Sequence, residues 1–315
     1  MGRNFARLTW AYLVEPTWLE VNQVRVPLAG LSTEHPGLKV VHLTDFHLRR
    51  HMPLKYVSRS IAVAAAQRAD IVVLTGDFVH RGFRNVRLVR ELLKGLDAPL
   101  GVYAVLGNHD FSVRNPLGIR RHPRLHAAIV RALEDCGVQV LRNRAVHVGG
   151  PTMRWAIVGV DDLWSGRCNL ERALEGTEAH VPRIILAHNP RTIERLNGHR
   201  CDLMLSGHTH GGQIHLPGIG TPTLSPRMRR FAAGLYQVNH SMLYVNKGIG
   251  YSLRFRYNRR PEVAVLHLVG AGRNAKANGH LEAARPAGYN ALEGAAAPVD
   301  GRDAPAARAD AASAG

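Results

Sequence analysis

Seven side chains able to bind metal ions occur in five short polar clusters of a 315-residue chain. They are Asp45 and His47 in TDFH, Asp77 in GD, Asn108 in GNHD, His188 in AHN, and His208 and His210 in GHTH. Carboxylate, imidazole and amide oxygen make up the set without a thiolate, a mixture that suits Mn, Fe or Zn. Seven ligands exceed what one tetrahedral ion takes. Because a carboxylate can bridge, the count fits two divalent ions roughly 3.5–4 Å apart. Two such ions carry four positive charges and Asp45 with Asp77 returns two, so the remainder suits a hydroxide and a phosphodiester anion. Singly, each residue has a plainer reading: Asp45 and Asp77 suit turns, and His188 a hydrogen-bonded core position. Jointly, order, spacing and placement favour metal.

A set so dispersed needs a sheet edge to gather it. Apolar runs bounded by Gly, Asp and Pro read as buried strands at 38–45, 70–77, 101–108, 154–161, 183–189, 202–208, 242–246 and 262–269. Helices are expected at 55–68, 84–95, 123–136 and 190–197, the third stopped by Gly137 and the fourth begun by Asn189 and Pro190. The alternation argues for an α/β chain, with sheets covered by helices. Asp45, Asp77, Asn108, His188 and His208 end predicted strands, and carboxyl ends of strands gather where ligands bind. The pairs Asp45/His47 and His208/His210 are two apart, which in extended backbone puts both side chains on one side.

Taken in order, D-x-H, G-D, G-N-H-D, H and G-H-x-H resemble the calcineurin-like metallophosphoesterase superfamily over about residues 38 to 215. GHTHGGQIHLP and the later NKGIGYSLRFRYNRRPE (246–262) resemble a bacterial branch whose members are often exported or membrane-associated. The resemblance implies two mixed β-sheets packed face to face and flanked by helices. It also implies two ions, one held by Asp45, His47, Asp77 and His210, the other by Asp77 as bridge with Asn108, His188 and His208. A metal-bridging hydroxide would attack phosphorus in line, and His109 would protonate the leaving oxygen or steady the transition state. GDFVHRG departs from the protein-phosphatase form G-D-x-V-D-R-G: His80 replaces the Asp that orients the catalytic histidine, and Leu106 replaces the Arg before G-N-H. A protein-phosphatase mechanism is not expected.

The rest of the chain narrows the partners. Residues 271–315 carry five basic and five acidic groups, so the net charge of +17 belongs to residues 1–270. Such a field attracts phosphates. Segments 111–126, 225–231 and 253–260 are arginine-bearing and are expected to rim the pocket, while His215 is expected at its edge and outside the metal set. His42, His126, His147, His240 and His267 read as structural. The chain divides into an N-terminal segment (1–37) whose Trp10, Tyr12, Leu13 and Trp18 suit a surface, a domain (38–270), and an Ala/Gly/Pro-rich tail (271–315) expected to be disordered. No apolar run is long enough to cross a bilayer, and three scattered cysteines suggest free thiols in a reducing compartment. The expectation is a metal-dependent phosphoester hydrolase, cytoplasmic or peripheral at the inner face of a membrane. Its substrate would be a phosphorylated small molecule or a lipid-linked one, with peripheral contact to anionic membrane. Nucleic acid is the weaker partner, because no aromatic–basic platform for stacked bases is evident. A silent binding protein on this fold would not need all seven ligands.

Overall fold

The computed structural model describes residues 2–28, 31, 34, 37–114, 122–150 and 154–271. The strands, in chain order, are β1 (Glu20–Leu28), β2 (Leu38–Leu43), β3 (Ile71–Leu74), β4 (Val102–Ala104), β5 (Gln139–Val140) and β6 (Arg144–Val148). There follow β7 (Trp155–Gly159), β8 (Arg183–Leu186), β9 (Leu203–Ser206), β10 (Gly234–Val238), β11 (Ser241–Val245) and β12 (Glu262–Gly270). They form two six-stranded sheets, ordered β1-β12-β2-β3-β4-β5 and β10-β11-β9-β8-β7-β6. Both are mixed: β2, β3, β4 and β5 run parallel with β12 antiparallel to β2, and β7, β8, β9 and β11 run parallel with antiparallel edges β6 and β10.

The apolar runs are continuous because both faces of each central strand are buried. Along β2, Val40 turns into the layer between the sheets while Val41 and Leu43 face the helices. Along β7, Trp155 and Ile157 enter the same middle layer, and Ala156 and Val158 face outward. Three helices cover the first sheet: α2 (Leu54–Ala65), α3 (Val86–Leu93) and α4 (Leu125–Glu134), through Val57, Ile61, Val89, Leu93, Ile129 and Leu133. Gly137 follows α4 with φ +79, the left-handed stop that its position predicts. The stretch expected as a helix over 190–197 is a 3-10 turn, Pro190–Arg195, capped by the Asn189 carboxamide, which accepts from the Arg191 N–H.

The N-terminal residues differ most from expectation. A helix occupies Gly2–Leu13, and residues 20–28, read from the sequence as lying ahead of the domain, pair with β12 along their whole length. Alternate exposure on β1 hid it: its outward residues include Gln23 and Arg25, so it lacks the apolar run that marks the central strands. The tail from residue 272 lies outside the described residues. No helix of the described residues is long and apolar enough to cross a membrane.

Candidate metal centre

Strands β2, β3, β4, β8 and β9 end side by side, and the loops leaving them carry the seven candidates into one buried cluster. The backbone does this differently from the extended pairing expected. Asp45, His47, Asp77, His208 and His210 all adopt positive φ, between +47 and +71. This conformation is uncommon for residues with a side chain and costs about 1–3 kcal/mol each. Five such residues at one edge mark strain concentrated at a site. Glycines let the loops close: a Cβ on Gly107 would collide with the Asp77 carboxylate, and one on Gly207 with Thr44 and the Asp45 carboxylate.

Each carboxylate has one oxygen held and one left aimed inward. Asp45 Oδ2 accepts from Thr44 Oγ1 and from the His208 N–H, both at 2.9 Å. Asp45 Oδ1 is buried without a hydrogen-bond donor and lies 3.3 Å from His210 Nε2. Asp77 Oδ1 accepts from the His109 N–H at 2.9 Å, while its Oδ2 stands 3.4 Å from Nε2 of both His47 and His188. Asn108 Nδ2 donates to the Val113 carbonyl, which turns its Oδ1 toward His208 Nδ1 at 2.9 Å. His188 Nδ1 lies 2.7 Å from the Thr75 carbonyl, and donating there leaves Nε2 free to face Asp77 and His208. His47 and His210 close the other side, Nε2 to Nε2 at 2.9 Å.

The charges agree with the geometry. Burial works to raise Asp45 and Asp77, but the imidazoles of His210 and His188 outweigh it and hold both below the usual carboxylate range. Burial likewise works to lower His188, yet the Asp77 carboxylate pushes it up to about 10. Burial drives His208 down to about 3 and His210 well below the ordinary imidazole value. Ionised carboxylates facing the neutral imidazoles of His208 and His210 suit divalent cations, and a cation would take the place of the proton that the Asp77 charge holds on His188. Among the described residues, three clusters have metal-ligand spacing: Asp45–His47–His210, Asp45–Asp77–His188 and His47–His80–His109.

His109 sits half-buried over this set, its ring 4.6 Å from that of His47. Its Nδ1 lies 2.9 Å from the carbonyl of His80. A backbone carbonyl thus does the orienting that a carboxylate would do were residue 80 an aspartate. Arg114 Nη2 donates to the same carbonyl at 3.1 Å.

Several participants escaped the sequence reading. Asp110 is fully buried and takes N–H bonds from Asp77, Phe78 and Gly107 at 2.8–2.9 Å, tying the two ligand loops together. Its signal in the sequence is the acid that closes GNHD. Trp164 sets its ring edge-on to His208 at 4.5 Å, with no spacing in the sequence to announce it. Asp162 did not escape it: its place after a predicted strand suits a residue that orients metal ligands or caps a turn, and it is buried beside the cluster, where burial pushes it up to about 7. The arginine rim is partial. Arg256 is fully buried and donates to the carbonyls of Lys247, Gly248, Gly250 and Arg259. Residues 115–121 lie outside the described residues. His215 turns away and meets Arg259 at 3.0 Å. Arg81 is exposed.

Two mixed sheets with a carboxylate–imidazole cluster at their strand ends define a metal-dependent phosphohydrolase. The chain belongs to the calcineurin-like phosphoesterase family, whose model matches residues 38–212. It is 34% identical over 261 residues to phosphodiesterase YaeI of Escherichia coli (strain K12), covering 82% of this chain and 92% of that protein. It is also 29% identical over 316 residues to UDP-2,3-diacylglucosamine pyrophosphatase LpxG of Chlamydia trachomatis serovar D, again covering 82% of this chain and 92% of the other.

Proposed function

We propose that the chain cleaves a phosphodiester or pyrophosphate bond of a lipid-linked substrate, with two divalent ions held by the seven side chains. Asp45, His47, Asp77 and His210 would hold one ion; Asp77, Asn108, His188 and His208 would hold the other. One observation carries this reading. Asp77 Oδ2 is the same 3.4 Å from His47 on one side and His188 on the other, with its second oxygen tied to the backbone. Bound ions of the Mn, Fe or Zn type supply charge that polarises a phosphoryl group and acidifies water.

The protein's own groups do the rest. Asp45 and Asp77 stay ionised and return only part of the charge of two divalent ions, so an anionic substrate completes the balance. His109 donates Nδ1–H to the His80 carbonyl, which leaves Nε2 to carry a proton toward the leaving oxygen. Arg114, bonded beside it, adds positive charge on that side of the pocket. The pyrophosphatase relative supports an amphiphilic, lipid-linked substrate over a small soluble one.

The test is turnover of bis-p-nitrophenyl phosphate by protein reconstituted with Mn²⁺, together with metal counting by mass spectrometry. Two equivalents of metal are expected, with activity abolished by Asp77→Asn and by His208→Ala. A single equivalent, or turnover that survives both substitutions, defeats the two-ion reading.

A further inference from the structure

The helix Gly2–Leu13, α1, buries little of itself. Of residues 5–14 only Ala11 is buried. Phe5, Leu8 and Tyr12 lie three and four positions apart along one side, and they leave 74%, 58% and 51% of their surface to solvent. The other side holds the helix to the domain. Ala6, Arg7 and Trp10 line a cavity of about 920 Å³ beneath it, the Ala11 carbonyl accepts from the Arg256 N–H, and Trp10 meets Trp18 edge-on at 5.5 Å. Phe5 and Leu8 therefore stand clear of the contacts that hold the helix to its domain, and Tyr12 stands at their edge.

The patch continues beyond α1. Leu253 is 68% exposed, and the guanidinium of Arg254 lies 5.5 Å from the ring centre of Tyr12. No acidic residue occurs in residues 1–14, and the first one, Glu15, is buried and accepts from the Arg259 N–H. An apolar stripe with Arg254 at its edge and no acidic residue along its helix matches the acyl boundary and phosphate layer of an anionic membrane. The excess of +17 on residues 1–270 draws the chain toward the same surface. A second copy of this chain would meet that patch with another equally basic one, which disfavours self-association there.

We propose that Phe5, Leu8 and Tyr12, with Leu253 and Arg254, dock this protein on the surface of an anionic lipid bilayer. The placement serves the site. Ser252 Oγ lies 3.4 Å from His210 Nε2, and the next two residues of the chain belong to the docking patch. A bilayer seated on α1 and Leu253 thus lies one short loop from the metal centre, within reach of a lipid-linked phosphoester. This rests on the lipid-linked reading for its purpose, but its test does not depend on catalysis.

The full chain is to be co-sedimented with vesicles of equimolar phosphatidylcholine and phosphatidylglycerol, and with phosphatidylcholine alone, at low and high salt. Binding is expected on the anionic vesicles at low salt, weakening with salt, and reduced roughly tenfold or more in a Phe5→Ser, Leu8→Ser, Tyr12→Ser variant. That variant alters exposed side chains only, so its circular dichroism and its turnover of bis-p-nitrophenyl phosphate should match the parent. No binding to anionic vesicles at low salt overturns the proposal, and so does undiminished binding by the variant. Light scattering that shows a dimer, made monomeric by the triple substitution, assigns the patch to a second copy instead. Vesicle binding without diester turnover leaves the docking face standing and removes the catalytic reading; turnover without binding does the reverse.

Discussion

The Nε2 atoms of His47 and His210 stand 2.9 Å apart, with the buried and unpaired Asp45 Oδ1 3.3 Å from the second of them. Two imidazole nitrogens this close, with an ionised carboxylate beside them, need a cation or a proton between them. A chelator should therefore both inactivate the protein and destabilise it. Metal binding only the folded state at a hundred times its Kd stabilises by about 2.7 kcal/mol. Thermal unfolding with and without EDTA measures this, and an unchanged midpoint would remove the cation from the account.

Asp77 predicts a sharper effect than any single histidine. Its Oδ2 lies 3.4 Å from both His47 and His188, so on the two-ion proposal Asp77→Asn, which keeps the shape and removes the charge, should lower the occupancy of both ions. His210→Ala should chiefly release the one on the Asp45 side. Metal-to-protein ratios after desalting separate the two cases, and equal loss in both variants would argue against a shared carboxylate.

His109 is expected to act late, on the leaving group. With Nδ1 directed at the His80 carbonyl, only Nε2 faces the reaction. General-acid assistance is worth about 10²–10⁴-fold and matters most when the departing oxygen is basic. His109→Gln should slow cleavage of an alkyl phosphodiester far more than that of a p-nitrophenyl ester. Equal losses on both substrates point instead to a role in binding.

Much of this was legible in the sequence because the chemistry sits at element ends. The strands at 70–77 and 202–208 were recognisable from β-branched and apolar runs, and their last polar residues reach the site. The pairing logic for Asp45/His47 and His208/His210 was not. It assumed extended backbone, whereas all four residues turn with positive φ, which only the surrounding packing can impose. Asp110 and Trp164 act through contacts across the chain, and β1 through a pairing with β12 that spans almost the whole domain. Long-range partners of that kind leave no local pattern to read.

Asp110 makes a stability prediction of its own. Burial and the Asp77 charge push its carboxyl up to about 8, while backbone N–H groups including those of Gly107 and Val79 pull the other way. Asp110→Asn replaces one acceptor oxygen by an NH₂ facing those donors. Leaving buried donors unsatisfied costs about 1–3 kcal/mol each, so a loss of at least about 2 kcal/mol is expected, with weaker metal retention because Asp77 and Gly107 lose their shared anchor. Urea denaturation of the two proteins measures it; a variant as stable as the parent would show that the loop holds without this carboxylate.

His42 predicts how the fold responds to acid. It lies fully buried between the sheets, 2.7 Å from Thr75 Oγ1, with Nδ1 unpaired. Burial lowers its pKa from 6.5 to about 4, against the opposing pull of Glu262 and Asp45. In the unfolded chain the ring takes its proton near pH 6.5, but in the folded chain only near 4. Between those values the unfolded state binds more protons, so the contribution is complete above about pH 6.5 and is lost as pH falls toward 4. The gap corresponds to about 3 kcal/mol. His42→Gln should be somewhat less stable than the parent at pH 8, yet lose less on acidification, so the two unfolding curves converge as pH drops from 7 to 5. Other groups titrate in both proteins and cancel in the difference. Parallel curves over that interval would mean that His42 takes up its proton alike in the folded and the unfolded chain.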